Sequence, residues 1–342
     1  MYIIALASFI IAVVIGLVLI PILKAFKLGQ PIKTIGPVWH SSKAGTPTMG
    51  GWIFILAGAA GIFVWRWLNS SAAETSRGLP VIAAIFVFAL VFGIIGFIDD
   101  LAKIRKKQNE GLTGKVKFLL QLIAALVFLF LMRNFGYLTS NLFIPFLYIE
   151  IAIPVPLYFA FAAFVIVGTV NAVNLTDGVD GVLTGVTLPV LGCFALLAFV
   201  SRQTVQFVFA IVLIGGLAGY LLFNFHPAKV FMGDTGSLFL GGAICALAFS
   251  LNIPLVLVPL CLIYIWTTLS VIIQVGVFKI RRKTRGLEYA QSHRVFKMSP
   301  FHHHLEKSGW SEYRIFAVYT IISTVCAIAA YVSIAGFTVV GG

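Results

Sequence analysis

The sequence consists of ten apolar runs of about 20 residues each, the length that a membrane-spanning helix needs, separated by short polar connections. Sixty per cent of the 342 residues are apolar and 10% are charged. The mean hydropathy of +1.05 lies far outside the range of soluble globular proteins. The sequence therefore predicts one all-α polytopic membrane domain over residues 1–342. The runs are 2–23, 49–68, 80–98, 116–132, 156–173, 182–200, 205–223, 237–252, 255–278 and 315–337.

The charge distribution predicts an orientation. If the N-terminus lies outside, all but four of the 24 Lys and Arg residues fall in inside connections. The exceptions are Arg66, Arg77, Arg133 and Arg202. Such a bias follows the positive-inside rule, so both termini are expected outside. The net charge of +13 then reflects topology, with some of it facing anionic lipid or a phosphorylated substrate, and no nucleic-acid partner is expected.

Two connections carry predictions of local structure. Residues 138–155, on the outside, are rich in Ile and interrupted by prolines, which predicts a short β-hairpin or a re-entrant piece. The longest inside connection, 279–314, opens with a basic run from Lys279 to Arg285. Residues 284–299 in it predict a short helix in the membrane interface, with basic and apolar faces.

Carboxylates are grouped at the inside ends of the spans. Nine of the 11 acidic residues fall on the inside, all but Glu74 and Glu150, and the five Asp residues among them lie at or beside the ends of the apolar runs. Carboxylates near a bilayer are costly and usually mark a functional site. An adjacent pair such as Asp99 and Asp100 also fits helix-end charges neutralised by nearby lysines. We expect Asp99, Asp177 and Asp234 to meet around one cytoplasmic cleft.

Amide and carboxylate side chains recur every third residue at Asn171, Asn174, Asp177 and Asp180. Steps of three place neighbours on one face of a helix. A solvated loop has no reason for this period. The ladder therefore predicts a site for ribose hydroxyls, for a phosphate-bound metal, or for both.

Two glycine-rich turns precede spans, at residues 45–51 and 233–236. A helix start offers free N–H groups to an anion, and Asp234 in the second turn suits a hard cation. For the first turn a plain loop with a capped helix is the alternative. In the last inside connection, the run His302–His304 suits imidazole N–H donation to phosphate.

Acidic groups and basic loops on one membrane face favour Mg²⁺-assisted chemistry on a phosphate group. Metal and lysines would neutralise charge that builds on a diphosphate as it is split. The alternative from another class is an ion-coupled transporter or channel. A transporter would place its carboxylates near the bilayer midplane, whereas these lie at span ends.

Five motifs occur in the order in which one bacterial enzyme family has them: Lys43–Gly51, Gly96–Asp100, Asn174–Gly181, Phe231–Ser237 and Ser299–His304. Over essentially its whole length the chain resembles the phospho-N-acetylmuramoyl-pentapeptide transferases (MraY family). Some of these motifs are shared by the wider polyprenyl-phosphate sugar-1-phosphate transferases. A sibling enzyme that uses a simple UDP-N-acetylhexosamine is therefore the nearest alternative, and the His302–His304 stretch favours the muramoyl enzyme.

The resemblance implies transfer of phospho-MurNAc-pentapeptide from UDP-MurNAc-pentapeptide to undecaprenyl phosphate, giving lipid I and UMP. It also implies ten transmembrane helices, Mg²⁺ as cofactor and a homodimer. The expected location is the bacterial cytoplasmic membrane, with the active site facing the cytoplasm.

The resemblance also implies residue roles. Asp234 would be the Mg²⁺ ligand, Asp99 and Asp100 would bind or activate the lipid phosphate, and Asp177 with Asn174 would position the diphosphate. Either Lys115 or Lys117 would be the lysine of the catalytic region. His302 and His303 would line the pocket as catalytic residues. Nucleotide or phosphate contacts would come from Lys43, Thr48, Gly178, Asp180, Asn224, Phe231, Gly233, Ser237, Gln274 and His304.

Two mechanisms are open for such a reaction. The lipid phosphate attacks directly, or an Asp attacks first and forms a covalent phospho-enzyme. A phosphate monoester has a second pKa of about 6, so it is largely a dianion at pH 7. This favours direct attack.

Overall fold

The computed structural model describes residues 2–26, 45–69, 73–106 and 111–340. Within these ranges the chain is helical apart from one small hairpin and short connections. The helices are α1 Tyr2–Ala25, α2 Gly51–Leu68, α3 Ala73–Lys106, α4 Gly114–Asn134, α5 Val155–Thr176, α6 Val182–Val200, α7 Thr204–Asn224, α8 Gly233–Ser250, α9 Leu257–Leu260, α10 Leu262–Arg285, α11 Leu287–Ser292, α12 Phe301–Glu306 and α13 Glu312–Val340.

Ten of the described helices are long and apolar enough to cross a membrane. They are α1 to α8, α10 and α13, with the apolar part of α3 running over Gly78–Lys106 and that of α13 over Glu312–Ile334. The predicted number of spans is confirmed. The hairpin is confirmed too: β1 (Asn141–Ile144) pairs antiparallel with β2 (Ile149–Ala152), with Leu142 opposite Ile151.

The predicted bounds of the ninth span are wrong. The run 255–278 was expected to form it, but the helix is Leu262–Arg285. Pro254 starts a 3₁₀ turn over Pro254–Val256, and Pro259 lies in the four-residue α9, which ends before Cys261. Proline has no N–H for the helical ladder, so the early part of the run cannot form one continuous helix.

The last inside connection also starts later in the chain than predicted. The basic run Lys279–Arg285 was expected to open the loop, but it continues α10. Lys and Arg favour helices, and most of these side chains are exposed. The interfacial helix expected over 284–299 is reduced to Leu287–Ser292. Residues 293–300 instead fold back irregularly on α10.

Helix α8 forms the centre of the bundle. Each of its residues except Asp234 is buried. It packs against α2, α3, α5, α6 and α7. Small residues let the backbones approach closely, as is usual between helices in membranes. At Gly96 of α3, a Cβ atom would lie 2.1 Å from the backbone oxygen of Asp234.

We therefore expect Gly96→Ala to force α3 and α8 apart, because the atom that it meets is backbone and cannot rotate away. Overpacking of this kind costs about 1–3 kcal/mol. Thermal unfolding of the purified protein in detergent measures the effect as a lowered midpoint. Gly168→Ala on α5 is the matched control, since a Cβ there meets nothing within 4 Å. Equal midpoints for the two variants would contradict the close α3–α8 contact.

Candidate active site

Four helix ends meet at one end of the bundle, which we call the motif end. They are the C-terminal ends of α3 and α5 and the N-terminal ends of α4 and α8. All four ends contribute to a common cluster: Asp99, Asp100 and Lys103 come from α3, and Lys117, Asn174 and Asp234 come from α4, α5 and α8. The opposite end carries the hairpin, whose Phe146 N–H donates to Ser333 O of α13.

Asp234 lies at the centre of this cluster and contacts side chains from three other helices. Its Oδ2 accepts hydrogen bonds from Lys103 Nζ at 2.9 Å and from Lys117 Nζ at 2.7 Å. Its Oδ1 accepts from Asn174 Nδ2 at 2.9 Å. Three other helices therefore converge on one carboxylate. Hydrogen bonds between charged groups are among the strongest in proteins, so the four helix ends are held firmly together.

Asp99 shares Lys103 with Asp234. Its Oδ2 lies 2.6 Å from Lys103 Nζ, and its Oδ1 accepts from Leu112 N–H at 2.7 Å. Lys103 was not among the predicted site residues. With the third span predicted to end at residue 98, this lysine was one of several loop cations. Because α3 continues to Lys106, Lys103 lies one turn beyond Asp99 on the same helix face.

Lys117 belongs to the cluster and Lys115 does not. Lys117 Nζ contacts Asp234 and lies 3.8 Å from Asp99 Oδ2. Lys115 is exposed. Two positions along a helix turn the side chain by about 200°, so both lysines cannot face one site. The structure thus favours Lys117 for the lysine position that the sequence left open.

Asp100 binds the start of α8. Its Oδ1 accepts from Asp234 N–H at 3.2 Å, and its Oδ2 accepts from Thr235 N–H at 3.0 Å and Thr235 Oγ1 at 2.8 Å. The N–H groups at this turn, which were expected to be free for a substrate anion, are therefore bonded to the carboxylate of Asp100. A negative charge at a helix N-terminus is stabilising.

The N–H groups at the end of the turn at residues 45–51 are also bonded within the protein. Gly50 N–H donates to Phe231 O at 2.8 Å, and Gly51 N–H donates to Met232 O at 3.1 Å. Phe231 N–H in turn donates to Pro47 O at 2.8 Å. The structure thus favours the plain capped turn over an anion site for these N–H groups. The backbone pairing places the first motif beside the fourth.

Gly233 needs to be glycine where these motifs meet. Its φ of 70° lies in the left-handed region. A Cβ there would lie 2.5 Å from Asp100 Oδ2 and 2.6 Å from Thr48 Oγ1. Thr48 is buried beside it. Lys43, the remaining predicted contact of the first motif, lies outside the described residues.

The α5–α6 turn carries Asp177 and Gly178. Burial, and after it the charges of Asp234, Asp100 and Asp180, raise the pKa of the Asp177 carboxyl to about 8. Asp177 therefore lies close enough to the cluster for the charges of Asp234 and Asp100 to act on it. Gly178 packs against the buried ring of His302, because a Cβ at Gly178 would lie 2.1 Å from His302 Nε2.

The other two histidines of the run make local contacts. His303 Nδ1 lies 2.5 Å from Glu306 Oε2. His304 Nδ1 accepts from Lys297 N–H at 3.1 Å, and its ring stacks on Phe301. Burial and the charge of Lys297 lower the pKa of His304. This favours a neutral ring at pH 7.

Gln274 of α10 binds the backbone of the loop that precedes these histidines, residues 293–300. Its Oε1 accepts from Phe296 N–H at 3.0 Å, and its Nε2 donates to Phe296 O at 3.2 Å. One turn earlier, Ser270 Oγ accepts from Phe301 N–H at 3.0 Å. The side-chain amide expected to touch substrate is therefore bonded to the protein backbone on both sides.

Two more predicted substrate contacts are likewise internal. Asn224 Oδ1 accepts from Thr184 Oγ1 at 3.2 Å, and Asn224 Nδ2 donates to Val230 O at 3.0 Å. Ser237 Oγ accepts from Asn174 Nδ2 at 2.8 Å and donates to Gly233 O at 3.0 Å. These residues shape the segments around the cluster. Phe231, whose backbone holds the first motif, is half-buried.

The donor set of the cluster suits Mg²⁺, which prefers a few carboxylate oxygens together with phosphate oxygens. Asp99, Asp100 and Asp234 supply three carboxylates for two lysines. The Asp234 side chain is 17% exposed, against 4% for Asp99 and 1% for Asp100. Asp234 is therefore the most accessible of the three acids to an incoming ion.

Comparison with known proteins identifies the family. The model of glycosyl transferase family 4 matches residues 82–252, which include Asp99, Asp177 and Asp234. Signature 1 of the phospho-N-acetylmuramoyl-pentapeptide-transferases matches residues 43–55. Such a transferase from Clostridium acetobutylicum is 43% identical over 331 residues, 96% of this chain and 97% of the relative.

Two further transferases with the same name are similar over nearly the full length. The one from Staphylococcus carnosus is 39% identical, covering 95% of this chain and 96% of the relative. The one from Carboxydothermus hydrogenoformans is 41% identical, covering 94% of each. The protein is thus a multi-pass membrane enzyme. It belongs to the phospho-N-acetylmuramoyl-pentapeptide-transferase family, which makes lipid I in peptidoglycan synthesis, as the motifs predict.

Proposed function

We propose that this protein transfers phospho-MurNAc-pentapeptide from UDP-MurNAc-pentapeptide to undecaprenyl phosphate, and that the cluster around Asp234 is the reaction centre. The observation that supports this most is the convergence of Lys103, Lys117 and Asn174 on Asp234 at 2.7–2.9 Å. Two cations and a carboxylate at a membrane surface suit a reaction between two phosphorylated substrates. The homodimer that the resemblance implies stays a prediction.

We place the motif end at the cytoplasmic face of the bacterial membrane. The last turns of α3 and α10 are basic, with Lys103, Arg105 and Lys106 on α3 and Arg282, Lys283 and Arg285 on α10. The positive-inside rule favours such ends in the cytoplasm. UDP-linked substrate and the UMP product would then be exchanged on that side.

Lys103 and Lys117 would hold the diphosphate of the nucleotide. Charge builds on the leaving UMP oxygen as the diphosphate is split, and prearranged cations stabilise that charge. When bound by Asp234, Mg²⁺ would supply a further positive charge to the phosphate oxygens. We assign Asp99 to orienting Lys103, since a carboxylate placed directly against a lipid phosphate would repel it.

The transfer proceeds by direct attack in this proposal. An oxygen of undecaprenyl phosphate bonds to the phosphorus that carries MurNAc, while the bond from that phosphorus to the UMP oxygen breaks. The attacking phosphate is largely a dianion at pH 7, since its second pKa is about 6. It needs no protein base. Both oxygens of Asp99 and of Asp100 already accept hydrogen bonds within the protein.

Direct attack predicts that no phospho-aspartate forms when the acceptor lipid is absent. Single-turnover incubation with UDP-MurNAc-pentapeptide labelled in the transferred phosphate, followed by acid quench and intact-mass analysis, checks this. Release of one UMP per enzyme with the label retained on an Asp would contradict direct attack. It would instead support the covalent alternative.

Lys103→Met and Lys117→Met are expected to lower the rate of UMP release by about 10²–10³-fold, the usual loss when one donor to a charge-developing oxygen is removed. Lys115→Met is the matched control, since Lys115 is exposed on the same first turn of α4, and its rate should stay near that of the wild type. Thermal unfolding shows whether each variant is folded. A loss confined to Lys115→Met would contradict the proposed centre.

A further inference from the structure

Three segments at the motif end are joined by Asp180, His226 and Glu312. Asp180 Oδ2 accepts from Ala228 N–H at 3.0 Å and lies 2.9 Å from His226 Nδ1. Glu312 Oε2 accepts from Asp180 N–H at 3.1 Å and lies 3.5 Å from His226 Nδ1. The α5–α6 turn, the α7–α8 connection and the start of α13 thus meet in one small network.

The network is held by hydrogen bonds that involve these side chains and the backbone N–H groups of Asp180 and Ala228. Within the described ranges, these three side chains form the one group of acidic and histidine residues whose potential ligand atoms lie within 4.8 Å of one another. A carboxylate only accepts hydrogen bonds, so His226 Nδ1 must carry the proton that faces Asp180 and Glu312.

The neighbour of Glu312 strengthens the same junction. Tyr313 OH donates to His226 O at 3.0 Å. The Tyr313 ring also contacts the ring of His226 edge-on, with centroids 5.0 Å apart, and the ring of Phe225 at 5.6 Å. The first turn of α13 therefore contacts the Phe225–His226 segment in three ways. Glu312 lies beside the His226 ring, the Tyr313 hydroxyl bonds to the backbone oxygen of His226, and the Tyr313 ring packs against the rings of Phe225 and His226.

Two of the three joined segments, the α5–α6 turn and the α7–α8 connection, lie next to the cluster in the chain. The α5–α6 turn contains Asp177 and Gly178, which packs against His302. The α7–α8 connection leads directly to Phe231 and then to Asp234 of the cluster. Asp180 itself is 4% exposed and its carboxylate is bonded within the protein. Its contacts set the separation of the two segments.

We propose that Glu312 is a positioning residue for the nucleotide substrate, an inference that rests on the proposed function. By holding the backbone N–H of Asp180 and the ring of His226, Glu312 fixes the distance between the α5–α6 turn and the α7–α8 connection, between which we place the uridine of the substrate. It does not touch the reacting phosphates. Its loss should weaken substrate binding more than it slows the chemical step.

Steady-state kinetics with UDP-MurNAc-pentapeptide test this. Glu312→Ala is expected to raise KM for the nucleotide about tenfold, the usual effect of losing a hydrogen bond to a charged group, with kcat within about threefold. Glu312→Gln keeps the reach and an acceptor for Asp180 N–H, so its KM should stay near that of the wild type. Glu312→Asp keeps the charge but is one methylene too short, so its KM should rise.

Glu288→Ala is the matched control, because Glu288 is an exposed acid in the first turn of α11. Its KM should not change. Should Glu312→Ala fail to fold, the difference in KM between Glu312→Gln and Glu312→Asp still tests the positioning role. A wild-type KM in Glu312→Asp, or a Gln variant as impaired as the Ala variant, would overturn the positioning role. A wild-type enzyme that releases no UMP from this substrate would instead overturn the proposed function.

Discussion

The hydrogen bonds from the start of α8 to Asp100 fix the geometry on which the rest of the site depends. Gly96, one turn earlier on α3, brings the two backbones close enough for these bonds to form. The same contact aims Asp234 at the end of α3, where Asp99 and Lys103 lie. The central helix is thus anchored by a buried anion at its N-terminus, a favourable place for negative charge. A shift of α3 would move the whole cluster.

Charge balance explains why the cluster is stable and yet ready to bind ligands. Buried carboxylates are costly unless they are paired and hydrogen-bonded. Lys103 Nζ lies 2.6 Å from Asp99, 3.9 Å from Asp100 and 2.9 Å from Asp234, and Lys117 adds a second cation. Among the described residues of the cluster, three carboxylates stand beside two lysines, and this balance suits a divalent ion that arrives together with a diphosphate.

The sequence predicted what is decided locally. The ten spans follow from hydropathy, the hairpin follows from an Ile-rich run that prolines interrupt, and the motifs indicated where the site lies. Lys103 was missed because its spacing from Asp99 has meaning only if α3 continues past the apolar run. The internal contacts of Gln274 and Asn224 depend on which way each side chain faces in the packed bundle. Glu312 meets Asp180 across 132 residues, so no local pattern marks it.

Whether the cluster around Asp234 is the reaction centre is best tested by a structure determined with UDP-MurNAc-pentapeptide and Mg²⁺ bound. We expect the diphosphate to lie at the motif end. It should contact Lys117 and Lys103, with the ion on the Asp234 carboxylate, and the uridine should lie between the α5–α6 turn and the α7–α8 connection. A nucleotide bound with its diphosphate away from these lysines, or at the hairpin end of the bundle, would show that the cluster around Asp234 is not the reaction centre.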